Sequence, residues 1–373
     1  MRRGAALMLA LCAARAASLE LTLKMLTDPE ARCLDGSRAG YYFRGGELHF
    51  NWLLLQESAG VCTDEQSCRD RTPDQRGSAS WPLALELEGL FAPAVQALVH
   101  GNMVLIKDCS GDAGAGNSTS FGLEFAGRAI LSAVLADLLA NRPLFSSNHH
   151  LHVLYGGGGL AARGALLNAD FVRSTLTAGL GDQLERFALL LDAGVEVDVE
   201  PLDSKLPGLE QRLSAWAAVS GASQFASPAC LAAQQPSEAW RCLAAEHALE
   251  FVQSDIIARA PLYDRDQLAA GGLTGPPVGP LQIAFAEAVR AQTSLTLVRA
   301  TAGRRGSGAL LPACFSGSLG LQAGNGWREE TVDGTSMEAA VDAWFYAKAA
   351  PLLSRLLEDG CEGFGCGAGC EKS

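Results

Sequence analysis

Apolar and polar positions change period repeatedly along this chain. Leu48-His49-Phe50-Asn51-Trp52-Leu53-Leu54-Leu55, Met103-Val104-Leu105-Ile106 and His150-Leu151-His152-Val153-Leu154-Tyr155 are short apolar runs that end in glycine or turn residues, and they predict buried strands. Between them Ile130, Leu131, Val134, Leu135, Leu138 and Leu139 recur at spacings of three and four, which predicts a helix over Arg128 to Leu139. Strands that alternate with helices predict an α/β fold: a mostly parallel central sheet with helices on both faces. No repeat, charge run or linker composition divides the chain, so one domain is expected. Thr301 to Gly308 and the stretch from Gly360 onward are rich in glycine and polar residues, and predict a loop and a loose C-terminus.

The first residues add a compartment. Arg2 and Arg3 precede an apolar run from Ala5 to Ala14 that ends in Ala14-Arg15-Ala16-Ala17-Ser18, the pattern of a signal peptide over residues 1–17. That run is too short to span a bilayer, which takes about 20 apolar residues. The expected product is secreted, to the extracellular space or cell wall, with a main domain over 18–358 and a Cys- and Gly-rich tail over 359–373. Cleavage removes Cys12 and leaves ten of the eleven cysteines, an even number that suits disulfides. No CxxC pair points to zinc, and the three C-terminal cysteines have no histidine beside them. Cys62 with Cys68, and Cys230 with Cys242, are candidate local staples, although spacing leaves connectivity open. Asn117-Ser118-Thr119 is a glycosylation sequon. A formal charge of −12 opposes nucleic acid and anionic membrane partners. No metal or cofactor is expected: His150 and His152 share a strand with no acid or thiol nearby in sequence, beside His149.

Specific motifs then narrow the fold. Cys33-Leu34-Asp35-Gly36-Ser37, followed by Gly40-Tyr41-Tyr42-Phe43-Arg44, resembles the opening signature of the pectin acetylesterase and Notum family. Glu57-Ser58-Ala59-Gly60-Val61-Cys62 is similar to that family's Glu-Gly-Gly-Gly-Trp-Cys turn, with two glycines and the tryptophan replaced. Asn102 to Gly111, Asp192-Ala193-Gly194 with Asp198, Tyr263-Asp264-Arg265-Asp266-Gln267, and Cys314 followed by Trp327, Val332, Gly334, Ser336 and Trp344 continue the resemblance in order. It spans roughly residues 33 to 345 and weakens between about 199 and 229. The resemblance implies an α/β-hydrolase fold and carboxylic ester substrates: an acetylated or acylated carbohydrate or protein.

The same resemblance implies a degenerate catalytic triad. Hydrolases of this fold carry a serine on a sharp strand-to-helix turn, and here Gly159 takes the serine's place, within Gly157-Gly158-Gly159-Leu160-Ala161. Gly317 takes the place of the histidine base in Cys314-Phe315-Ser316-Gly317, whereas Asp264 remains at the acid position. Glycine can neither attack a carbonyl nor carry an acyl intermediate. The oxyanion hole is built from backbone N–H groups, which most residues supply, and the family pattern assigns it to Gly60, Val61 and Leu160. Gly156 to Ala161 also fits a GxGxxA nucleotide-binding spacing, but the flanking motifs account for the turn. Asp264 reads as a relic of the triad, a surface turn residue beside Asp266, or part of a new acid site. The leading expectation is a secreted pseudoenzyme. The alternatives are an esterase with a relocated nucleophile, for which Ser110 and Ser316 are candidates with His247 as the unassigned base, and a structural extracellular protein.

Overall fold

The computed structural model describes residues 19–87, 96–141, 150–319, 326–346 and 356–370. The signal-peptide segment 1–17, with Cys12, and His149 lie outside the described residues. The apolar runs form strands as expected. Asn51–Gln56 and Asn102–Ile106 are buried at every position, and Leu151–Gly158 at six of its eight. Burial of this kind contributes about 1.5–3 kcal/mol for each large apolar side chain removed from water.

Ten strands make one sheet: β1 (Leu19–Met25), β2 (Gly40–Arg44), β3 (Asn51–Gln56), β4 (Ala84–Leu87), β5 (Asn102–Ile106), β6 (Leu151–Gly158), β7 (Leu184–Asp192), β8 (Asp255–Arg259), β9 (Gly308–Leu311) and β10 (Leu356–Glu358). Their order across the sheet is β10-β9-β8-β7-β6-β3-β5-β2-β1-β4. Every pairing from β5 to β10 through β3 is parallel, and β2, β1 and β4 add an antiparallel flank. Parallel neighbours need long crossovers, and helices supply them. The described helices include α1 (Gly127–Asn141), α2 (Leu160–Leu180), α3 (Leu209–Ser220), α4 (Arg265–Ala270), α5 (Pro280–Thr301) and α6 (Met337–Tyr346). This is the single-domain, mostly parallel α/β-hydrolase architecture.

The register sets up the site. Gly158 pairs with Asp192 at the ends of β6 and β7, and Asp192 pairs with Arg259 at the end of β8. Three parallel strands therefore stop in one row, at the carboxyl edge where ligands of open α/β sheets bind.

Four disulfides brace the fold: Cys33–Cys109, Cys230–Cys242, Cys314–Cys370 and Cys361–Cys366. Two expectations change here. Cys62 and Cys68 are not bonded; both thiols are free and buried, with Cys62 hydrogen-bonded to Cys68. Six residues of separation brings the pair together without fixing how the sulfurs face each other. The tail is not loose either. Beyond its two disulfides, Thr331 N–H donates to Ala368 O and Gly367 N–H to Ala313 O, which ties the last described residues to Thr331 and to the chain just past β9.

Candidate functional site

A polypeptide leaving β6 must reverse sharply to enter α2, and Gly159 makes that turn with φ 55° and ψ −125°. That conformation is strained for any residue with a Cβ, and glycine relieves it. The Gly159 N–H donates to Asp192 O at 2.9 Å, and its own carbonyl accepts from Ala162 N–H at 3.1 Å. The turn is thus fixed at both ends by backbone alone. A Cβ built on Gly159 meets nothing closer than Ser318 Cβ at 3.8 Å and Asp266 Oδ2 at 3.9 Å. There is room for a side chain where none exists.

A cavity of about 460 Å³ opens at this turn, and Val61, Gly159, Leu160 and Asp264 all line it. Four of the sequence-derived residues therefore meet at one cavity. Gly60 and Gly317 are not among the lining residues. Gly60 has φ 105°; its N–H donates to Ser58 Oγ at 3.2 Å and its carbonyl accepts from Arg71 Nη1 at 3.0 Å. Of the three expected oxyanion donors, Gly60 is thus already satisfied within its own loop. Leu160 is the first residue of α2, where N–H groups have no partner inside the helix and the helix dipole favours negative charge. Arg71 supports the loop from behind through Asp108, which also accepts from Ala59 N–H at 3.1 Å.

Asp264 is buried, which removes the surface-turn reading. Its Oδ1 caps α4 by accepting from the N–H groups of Asp266 and Gln267, and Oδ2 accepts from Gly194 N–H at 3.1 Å. Burial nevertheless outweighs these bonds and pushes its carboxyl up to about 6. Both oxygens are occupied by backbone, so this acid is built into the fold whether or not an imidazole faces it. A Cβ on Gly317 would meet Asp266 Oδ2 at 3.1 Å and Arg265 Nη2 at 3.2 Å.

Sequence reasoning missed three features. Ser318 stands beside the elbow, with its Oγ 1.9 Å from where a Gly158 Cβ would lie, and it donates to Asp192 Oδ2 at 2.8 Å. Behind it, fully buried Arg259 spans Asp192 Oδ1 at 2.9 Å and Glu330, and also reaches Gly317 O and Ser316 Oγ. Burial opposes that guanidinium's charge, but Asp192 and Glu330 outweigh it and raise its pKa. In the cavity wall, Glu196 accepts from buried Arg163, lies 3.8 Å from Arg212, and leaves Arg163 stacked on Trp216 at 4.9 Å. Burial lowers the pKa of Arg212. A lone arginine in the apolar run after the elbow was the available signal for Arg163.

The serines singled out from sequence have other work. Ser110 Oγ donates to Asp112 Oδ1 at 2.6 Å, and Ser316 Oγ accepts from Arg259. No serine, cysteine or histidine lines the cavity among the described residues, and its one hydroxyl side chain, Thr63, donates to Asp64.

The pectinacetylesterase family model matches residues 13–355. The chain is similar to palmitoleoyl-protein carboxylesterase notum1 of Xenopus laevis, 25% identical over 89% of this chain and 69% of that protein. It is also similar to human palmitoleoyl-protein carboxylesterase NOTUM, 25% identical over 89% of this chain and 68% of the relative. Among solved structures, the Wnt deacylase Notum from Drosophila superposes with a TM-score of 0.82 at 22% identity, covering 95% of this chain and all of the other.

Proposed function

The chain belongs to the pectinacetylesterase family, and from that premise we propose that it is a secreted, ligand-binding pseudoenzyme which keeps the family's pocket without its ester-cleaving chemistry. One observation carries the reading: the cavity at the elbow is lined by no serine, cysteine or histidine among the described residues, and Gly159 occupies the turn from which a nucleophile would project. Loss of the nucleophile or base costs about 10⁶ in turnover in a well-studied serine hydrolase. Binding needs neither group. Val61 and Leu160 still present backbone at the cavity, next to the N-terminus of α2, where an ester carbonyl or acetyl oxygen can sit.

The proposed ligand is an acetylated or acylated carbohydrate or protein. The cavity wall is mostly apolar, with the ion pair of Arg163 and Glu196 as its charged part, so the acyl group of such a ligand would lie against apolar surface. Eight cysteines in disulfides and the exposed sequon at Asn117 support an oxidising, extracellular setting. Among the described residues no helix is long and apolar enough to cross a membrane.

A second reading rests on Ser318, the hydroxyl nearest the elbow. Its partner is a carboxylate tied to Arg259 rather than an imidazole, a weaker base for a hydroxyl proton at neutral pH. A purely structural protein would have no use for a 460 Å³ cavity at this turn. The test is hydrolysis of p-nitrophenyl acetate by the purified protein beside Asp264→Ala and Ser318→Ala. No turnover above blank in any of the three is expected. Turnover lost in Ser318→Ala would establish a relocated nucleophile and end the pseudoenzyme reading.

A further inference from the structure

Helix α2 borders a second cavity, away from the elbow. It has a volume of about 190 Å³ and lies against Leu166, Leu167 and Phe171 on α2, Arg128 at the start of α1, and the chain around Phe225 and Val252. Among the described residues Arg128 is its only cationic lining group. The guanidinium is sandwiched between the Phe171 ring, 3.5 Å from its carbon, and the Phe225 ring at 4.6 Å. One nitrogen, Nη1, donates to Asn168 Oδ1, and Asn168 in turn donates to Gly114 O. No carboxylate forms an ion pair with Arg128 among the described residues, and Nε and Nη2 have no protein acceptor there.

That arrangement is unusual for a half-buried arginine. The two rings fix its plane and attract its charge, yet burial lowers its pKa to about 10 with no acid to offset it. Three buried arginines, by contrast, are each paired with acids: Arg163 with Glu196, Arg259 with Asp192 and Glu330, and Arg71 with Asp108. Asp170 also lines the second cavity, but its oxygens are held by the N–H groups of Gln253 and Ser254 and by the Ser254 hydroxyl. Asp170 therefore neither pairs with Arg128 nor competes for its free N–H groups.

The geometry points to this cavity as a binding site, distinct from the elbow pocket, for a small monocarboxylate with an apolar body. The carboxylate accepts from the free edge of Arg128, whose forked N–H groups match its two oxygens. The ligand's hydrocarbon or ring lies against Leu166, Leu167, Phe171 and Val252. The volume suits about ten non-hydrogen atoms, so affinity is modest, with Kd on the order of 1 mM. An inorganic anion satisfies the charge alone and leaves the apolar wall empty; a neutral isostere does the reverse. Both bind more weakly than the carboxylate.

The experiment titrates the intact protein with benzoate, benzamide and sulfate, followed by NMR of the ligand and by calorimetry, and repeats benzoate with Arg128→Met and Leu167→Trp. Saturable benzoate binding is expected, at least tenfold tighter than benzamide or sulfate, and reduced at least tenfold in both variants. Arg128→Met keeps the apolar stem between the rings but removes the charge; Leu167→Trp keeps the charge and fills the space. If Arg128→Met fails to fold, the ligand comparison on the unaltered protein and the Leu167→Trp variant still decide. No saturable benzoate binding, equal binding of benzamide or sulfate, or benzoate binding unchanged in a folded variant would each overturn the assignment.

Discussion

Gly159 N–H donates to Asp192 O at 2.9 Å, so the elbow is held by the backbone of the same residue whose side chain anchors Arg259 and Ser318. One residue at the end of β7 thereby organises both the turn and what lies behind it. The elbow geometry depends on this tie and not on any catalytic side chain.

Restoring the missing groups tests that independence. Gly159→Ser meets open space but adopts a φ that strains a residue with a Cβ, so the variant should lose about 1–2 kcal/mol in chemical denaturation. It should not hydrolyse p-nitrophenyl acetate on its own. Adding Gly317→His, whose Cβ requires Asp266 to move by a few tenths of an ångström, should produce turnover above either single variant. A double variant that folds and stays silent would mean that the two positions do not face each other productively.

Asp264 gives the protein a defined pH response. Its pKa rises from 3.8 to about 6 on folding, so the folded state holds the proton more tightly than the unfolded chain. The resulting stability is fully present below pH 3.8, declines as pH rises towards 6, and is lost above it. A shift of about two units corresponds to roughly 3 kcal/mol. Urea unfolding of the protein and of Asp264→Asn from pH 4 to 7 should show the difference between them changing by about that amount, with the unaltered protein relatively weaker at pH 7. A constant difference across the range would refute the assignment.

Removing Arg259 should be among the most damaging single changes. Arg259→Met leaves Asp192 and Glu330 facing each other in the interior, and breaking a buried pair by deleting one partner costs about 3–5 kcal/mol. Denaturation midpoints report it directly. A loss below about 1 kcal/mol would show that water reaches this network.

Cys62 and Cys68 make a third kind of prediction. Burial raises both thiol pKa values, and their mutual hydrogen bond raises that of Cys62 further. The native protein should therefore react slowly with a thiol reagent at pH 8, whereas unfolding without reductant should release two fast equivalents. Oxidation of the unfolded chain with diamide should abolish both equivalents and lower the mass by about 2 Da as one bond closes. Fast reaction of the native protein would contradict their burial.

The central strands were legible because strands buried on both faces read as continuous apolar runs, and the elbow was legible because four glycines, Gly156 to Gly159, end β6 and lead into α2. Asp264 was legible only as a position; its burial follows from α4 and Gly194 closing over it, which no local pattern records. The charged wall was hidden for the same reason. Arg163 and Glu196 are 33 residues apart, and Ser318 meets Asp192 across 126. The cysteine spacings show the limit from the other side: Cys230 and Cys242 are joined whereas the closer pair is not, because sequence distance says nothing about the direction of a Cβ vector.

The Cys314–Cys370 bridge also orders events in time. A ribosome emits this chain from its first residue onward, and the central strands β3, β5, β6 and β7 have all left it long before residue 370 is made. Cys314 must then wait through 55 further residues for its partner while the sheet around it assembles. The final crosslink and the β10 edge strand can be added only after the strands of the central sheet have been made, so this edge of the sheet closes last among the described strands.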